Sequence, residues 1–246
     1  MKISTPETPK PRSKLSILLI GPPGGGKTSL ALQFPNVYVL DCDMNLDGPE
    51  RWVRTVNPNL KYFYDSVRLD DEGKEIPLEL CADRMFTLLQ KASLDPVIQT
   101  IFIDGMTYLN EMLIAKTMDV QSRIDEMMRQ DWIPFRRYML KVLMHLRTVA
   151  KTTIVSCHED ILMMDSKSGP VVTKYRPSLS SKIRDYFGGL FTDIWRCTAS
   201  QPVGGRPQPF KIQVVSSGLS DCKNSVGFPN ADMNATWEEL NKYLKL

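Results

Sequence analysis

The chain has 246 residues, 42% of them hydrophobic, a formal net charge of +3, five cysteines and two histidines. That length can bury one sizeable α/β core. No apolar run approaches the ~18–20 residues that cross a bilayer, and the first residues lack the apolar stretch of a signal peptide. Cys42, Cys81, Cys157, Cys197 and Cys222 form no C-x-x-C pair. The expectation is a cytoplasmic protein with no membrane partner, reduced buried thiols and no structural zinc.

Residues 1–14, MKISTPETPKPRSK, are polar and proline-rich. They read as a flexible arm, either a plain terminus or a segment that docks on a neighbouring subunit. Four cations (Lys2, Lys10, Arg12, Lys14) against Glu7 account for the net charge of the whole chain. The remainder, residues 15–246, reads as a single near-neutral domain, so global charge does not argue for nucleic acid.

LSILLI is a buried strand ended by Gly21-Pro22, followed by a helix from Gly26 to about Phe34. VYVLDCD is a second strand, residues 47–57 are helical, and LKYFY is a short strand. An amphipathic helix over 77–94, the strand TIFIDG and a helix over 106–120 follow. VQSRIDEMMRQ reads as a mobile loop or helix end. In the helix beginning DWIPF, Trp132, Phe135, Met139, Leu143, Leu146 and Val149 keep a helical period. TTIVSCH is a fourth strand, and residues 159–177 form a polar loop too long for an ordinary connection. SLSSKIRDYF is a short helix capped by Ser178 or Ser180. Two alternating runs, LFTDIWRCTA and PFKIQVVSS, read as antiparallel strands, and ATWEELNKYLKL closes the chain as a helix. The fold class is α/β: a mostly parallel sheet flanked by helices, with an antiparallel C-terminal extension.

Gly21-Pro22-Pro23-Gly24-Gly25-Gly26-Lys27-Thr28 satisfies G-x-x-x-x-G-K-S/T between a strand and a helix. Glycines let backbone N–H groups turn toward phosphate oxygens. Lys27 is expected to reach the β- and γ-phosphates of ATP, Thr28 to ligate Mg²⁺, and Ser29 to continue the site. Asp104, at the end of TIFID, is the second carboxylate for the metal, or a helix-capping residue. Hydrolysis also needs a group that orients water. The position after Asp104 is Gly105, so that group must come from elsewhere. VYVLDCD ends in Asp41 and Asp43, and Asp43 is the candidate, against a solvated turn carboxylate.

This order of features resembles the RecA-type recombinase core over roughly residues 15–230. It is most similar to small phage proteins that keep only that core and act in single-strand annealing or recombination. VLDCDMNLDG resembles the family's strand ending in an acidic catalytic residue, usually Glu, here Asp43. IDGMTYL resembles its metal-binding strand, and TTIVSCHED the strand whose last residue senses the γ-phosphate, often Gln, here His158. His158 is otherwise an ordinary strand-end histidine. The resemblance implies a RecA-like P-loop NTPase whose nucleotide sits between subunits of a ring or filament, with Lys223 reaching the neighbour's nucleotide. It implies single-stranded DNA as partner, a homo-oligomer, and a single-strand DNA-binding protein as a further partner in a phage-infected host. The DNA residues would be Arg123 and Arg129 in one loop, and Lys167, Lys174, Tyr175 and Arg176 in the other. Both stretches also read as ordinary solvated loops. A nucleotide-dependent protein-binding switch or loader and a small-molecule phosphotransferase stay open as alternatives.

Overall fold

The computed structural model describes residues 15–120, 127–166, 169–200 and 209–244. The arm 1–14, Arg123 and Lys167 lie outside the described residues. The elements are β1 Ser16–Gly21, α1 Lys27–Ala31, β2 Val37–Asp41, α2 Asp47–Val56, β3 Phe63–Ser66, α3 Leu78–Leu94, β4 Thr100–Asp104 and α4 Met106–Val120. They continue with α5 Trp132–Thr148, β5 Thr152–Ser166, β6 Gly169–Pro177, α6 Ser181–Phe187, β7 Asp193–Ala199, β8 Phe210–Gln213, β9 Asp232–Asn234 and α7 Trp237–Leu244. Among the described residues no helix is long and apolar enough to cross a membrane.

The sheet order is β3-β2-β4-β5-β1-β7-β8-β9, with β6 pairing with β5 off that path and Tyr175 of β6 bridging to Ser220. The strands from β3 to β7 run parallel. β8 and β9 extend the sheet antiparallel. This is the mostly parallel sheet flanked by helices, with an antiparallel C-terminal extension, expected from the sequence. The central strands are apolar throughout because both faces are covered. Strand alternation then sorts their side chains. Leu18 and Ile20 enter one core beneath α3, α4, α5 and α6, while Ile17 and Leu19 enter the other beneath α1, α2 and α7. Ile101 and Ile103 against Phe102 divide in the same way. All five cysteines are buried free thiols.

Three local expectations change. α1 ends at Ala31 rather than Phe34, because Gln33 and Phe34 donate to Leu30 and Ala31 in tightened i→i−3 turns ahead of Pro35. β2 stops at Asp41, where the Asp41 carboxylate accepts the Asp43 and Met44 N–H groups and turns the chain. The largest change is the long loop 159–177, which is a β-hairpin. β5 runs 15 residues; its first half is buried in the sheet and its outer half leaves to pair with β6, with a register shift after Leu162. Only one strand flanks this outer half, so its side chains do not sort into a buried and an exposed face. That is why it lacks the alternation of a sheet strand.

Candidate functional site

The P-loop, Asp43, Asp104 and His158 converge at the C-terminal ends of the parallel strands, where open α/β sheets place their ligand crevices. Sheet register brings them there. Gly21 lies opposite His158 across β1/β5, and Asp41 opposite Asp104 across β2/β4. The cleft has a volume of about 670 Å³ and is lined by residues 23–29 together with Asp43, Trp52, Asp104, Tyr108, Ser156, His158 and Phe210, among others.

Two glycines of the loop are required by geometry. A Cβ on Gly21 would lie 2.3 Å from the Cys197 carbonyl oxygen on β7. Gly26 has φ +87°, and a Cβ there would meet the Phe210 ring at 2.4 Å. At these two positions the loop backbone is pressed against β7 and β8, with no room for a side chain.

Lys27 is 7% exposed and donates to the Gly21 and Pro22 carbonyls at 2.9 Å each. Burial pulls its pKa below the ordinary lysine value, while Cys197 and Asp104 oppose that. An anion entering the loop would offer this ammonium a charged partner in place of two carbonyls. Thr28 Oγ1 donates to Asp104 Oδ2 at 2.8 Å, and Ser156 Oγ donates to Asp104 Oδ1 at 2.6 Å. Gly105 N–H donates to Ser156 Oγ at 2.8 Å. Asp104 is therefore held on both oxygens in a nearly closed site. Burial, then the nearby Asp43 charge, pushes its pKa up. A buried carboxylate beside a threonine hydroxyl, with acidic neighbours and a raised pKa, suits a divalent cation, so Thr28 and Asp104 fit Mg²⁺.

Asp43 and Gly105 explain each other. Gly105 has φ +96°, and a Cβ there would stand 3.3 Å from Asp43 Cβ and 3.2 Å from the Tyr108 ring. A glutamate after Asp104 would be strained and would occupy the space Asp43 takes. Asp41 serves the turn instead, and burial raises its pKa to about 6. His158 is half-buried; its N–H donates to Thr107 Oγ1, and its ring meets the edge of Tyr108 at 6.0 Å. Its Nδ1 is buried and has no partner among the described residues. Burial, then Lys27, lowers its pKa against an opposing effect of Asp43, which favours the neutral ring.

A family model described as an AAA domain, AAA_24, matches residues 13–226. The chain belongs to that family. Its core is that of a P-loop ATPase, and the family implies a nucleotide and, typically, Mg²⁺. Among solved structures, a KaiC-like protein of the hyperthermophilic archaeon Pyrococcus horikoshii OT3 is similar at 14% identity, covering 84% of this chain and 80% of that one, with a TM-score of 0.43. Among curated proteins none matches the chain in sequence.

The remaining residues singled out in the sequence of this AAA-domain protein lie away from the cleft. Lys223 Nζ donates to the Gly188 and Phe191 carbonyls of its own chain, at 2.7 and 3.4 Å. Arg129 is exposed in the turn before α5. Lys174 pairs with Asp221 at 2.7 Å, and Arg176 lies 3.9 Å from Asp160, which also faces Arg184 at 3.4 Å. Tyr175 lies 3.7 Å from the Arg196 guanidinium, which makes a bidentate bond to Glu159 at 2.8 and 2.9 Å. The hairpin base is bolted to β7 by this stack.

Ser156, Tyr108, Trp52 and Phe210 are cleft residues that the sequence does not single out. Ser156 was within reach of inference, since it lies inside the strand TTIVSCH beside the Asp104 strand. Trp52 and Phe210 come from distant segments, and their rings meet 4.7 Å apart over the P-loop. They form an aromatic wall beside the phosphate cradle, suited to a nucleobase.

Proposed function

We propose that this protein is an ATP-dependent single-stranded-DNA-binding protein of the recombinase or annealing type, with ATP controlling its assembly on DNA. The observation that carries the reading is the continuity of β5. One strand passes His158 at the P-loop and runs on, without a break, into a hairpin that leaves the sheet. A change at the phosphate end of the cleft therefore moves the base of the hairpin directly.

In this reading Lys27 leaves its two carbonyls for the β- and γ-phosphates. Thr28 and Asp104 would hold Mg²⁺, which would supply neutralisation of phosphate charge. Asp43, wedged against Gly105, orients the attacking water. His158, neutral with an unpartnered Nδ1, accepts or donates at the γ-phosphate end according to its tautomer. Trp52 and Phe210 stack on the base. The nucleotide sits between copies of the chain, with Lys223 released toward a neighbour.

The test is ATP hydrolysis with and without single-stranded DNA, on wild type and on a Lys174→Ala, Arg176→Ala double variant. Stimulation by DNA that the variant loses supports the reading and assigns the hairpin. A basal rate indifferent to DNA overturns it.

A second reading, a nucleotide-dependent switch that binds a protein, has its own observation. The hairpin exposes large apolar side chains, Met163, Met164 and Val171 being 60%, 64% and 50% exposed, while Lys174 and Arg176 face carboxylates of their own chain. Turnover unaffected by DNA but altered by a hairpin-directed protein would favour it.

A further inference from the structure

Helix α5 carries charge that no carboxylate among the described residues answers. Phe135, Met139, Val142, Leu143 and Leu146 face the core. The opposite side exposes Arg136, Arg137, Lys141 and Arg147, and the helix has no acidic residue from Trp132 to Thr148. At about 100° per residue the four cations fall in two rows. Arg136 and Arg147 lie on one side and Arg137 and Lys141 on the other of a ridge made by Ile133, Leu140 and Met144. Ile133 and Met144 are 61% and 48% exposed.

Several cations elsewhere on this surface meet carboxylates: Arg54 with Glu50, Arg84 with Asp71, Lys116 with Asp83. Among the described residues none of the four on α5 has such a partner. Arg136 lies over the Tyr186 ring at 4.8 Å and Lys141 over the Phe86 ring at 4.6 Å. Those rings hold the two side chains in place and leave their charge unneutralised.

We propose that this face of α5 docks an acidic amphipathic segment of a partner protein. Apolar side chains one turn apart would lie on the Ile133–Met144 ridge, which is about 16 Å long at helical rise. Flanking carboxylates would meet the two cation rows. Exposed methionine and arginine around an aliphatic centre suit a protein interface. A single nucleic-acid strand calls for free aromatic rings on which bases stack. Here Tyr186 and Phe86 are already covered by cations, and what stands free between the charges is aliphatic. The proposal goes beyond the nucleotide- and DNA-directed function above and does not depend on it.

The test uses the full chain and fluorescence anisotropy. The probe is a labelled peptide with leucines one helical turn apart and glutamates between them, and the control is its scrambled isomer. The variants are Arg137→Glu with Arg147→Glu, neither of which lies on a ring, and Met144→Ala. Expected are salt-sensitive binding of the patterned peptide only, a loss of about tenfold or more on double charge reversal, and a smaller loss for Met144→Ala. Basal ATP turnover stays unchanged, and the thermal midpoint moves by no more than about 2 °C. No peptide binding, equal binding of the scrambled isomer, or indifference to both variants overturns the proposal. Oligothymidylate that displaces the peptide and itself binds the charge-reversed variant more weakly reassigns the face to nucleic acid. Self-association that the variant loses, followed by sedimentation, reassigns it to a second copy of this chain.

Discussion

The hairpin and helix α5 are both basic segments, and they use their cations in opposite ways. On the hairpin, Lys174 meets Asp221, Arg176 and Arg184 share Asp160, and the Tyr175 ring lies against an Arg196 already bound to Glu159. On α5, Arg137 and Arg147 stand in solvent, and among the described residues Arg136 and Lys141 meet aromatic rings rather than carboxylates. The difference teaches that a cation's meaning depends on what the fold places opposite it. A cation paired with a carboxylate must leave that partner before it can bind another, whereas an unpaired one is available as it stands.

The sharpest way to break this comparison is Glu159→Ala. The Glu159 and Arg196 side chains are 3% and 17% exposed, so removing the carboxylate leaves a largely buried guanidinium unpaired, at a cost of about 3 kcal/mol. Chemical denaturation measures it, and a loss below about 1 kcal/mol would mean that this pair does not hold the hairpin base. Next comes Asp160→Asn, which leaves Arg176 and Arg184 without their shared partner. Its side chain is 39% exposed, so the expected loss is about 0.5–1 kcal/mol and shrinks as salt is added.

Arg137→Ala sharpens the contrast through its sign. Arg137 and Lys141 are like charges one turn apart, so the variant should be more stable than wild type by about 0.3 kcal/mol, most visibly at low salt. A loss of stability instead would mean that Arg137 has a partner in solution.

The smallest effect belongs to the inner end of the hairpin strand. His158 has a lowered pKa in the folded state, first from burial and then from Lys27. Its contribution is therefore complete above histidine's ordinary value of about 6.5 and is lost as pH falls through that value toward the lower folded one. Asp41 tilts stability the other way. Its pKa is raised to about 6, so its contribution fades as pH rises from the ordinary carboxylate range to that value. Thermal midpoints of wild type and His158→Gln across this range isolate the histidine, and the variant should show the flatter acid limb.

The parts of the site legible in the sequence are those whose chemistry is local. The residues from Gly21 to Thr28 declare themselves because phosphate binding needs backbone N–H groups, two left-handed turns and a lysine within one short loop. Asp104 ends a buried strand and Asp43 lies two residues past the end of another, and parallel strands deliver their ends to one crevice. The hairpin was illegible because its outer half packs against one strand only. Ile161, Met163 and Met164 are all exposed there, and no face is hidden to impose alternation. Trp52 and Phe210 were illegible for another reason. Nothing local marks either ring, and they meet only because α2 and β8 are folded over the same loop.

By itself, then, the sequence determined the strand–helix order, the two-sided core and the phosphate cradle, since hydrophobic period and loop chemistry act over a few residues. Only the tertiary structure decided that a polar stretch extends a strand, that an aromatic wall stands beside the P-loop, and which cations are answered. Those outcomes depend on pairs far apart in the chain, such as Lys174 with Asp221 and Arg196 with Glu159. The partner of a charge is set by which strands become neighbours, and no short window of sequence contains that information.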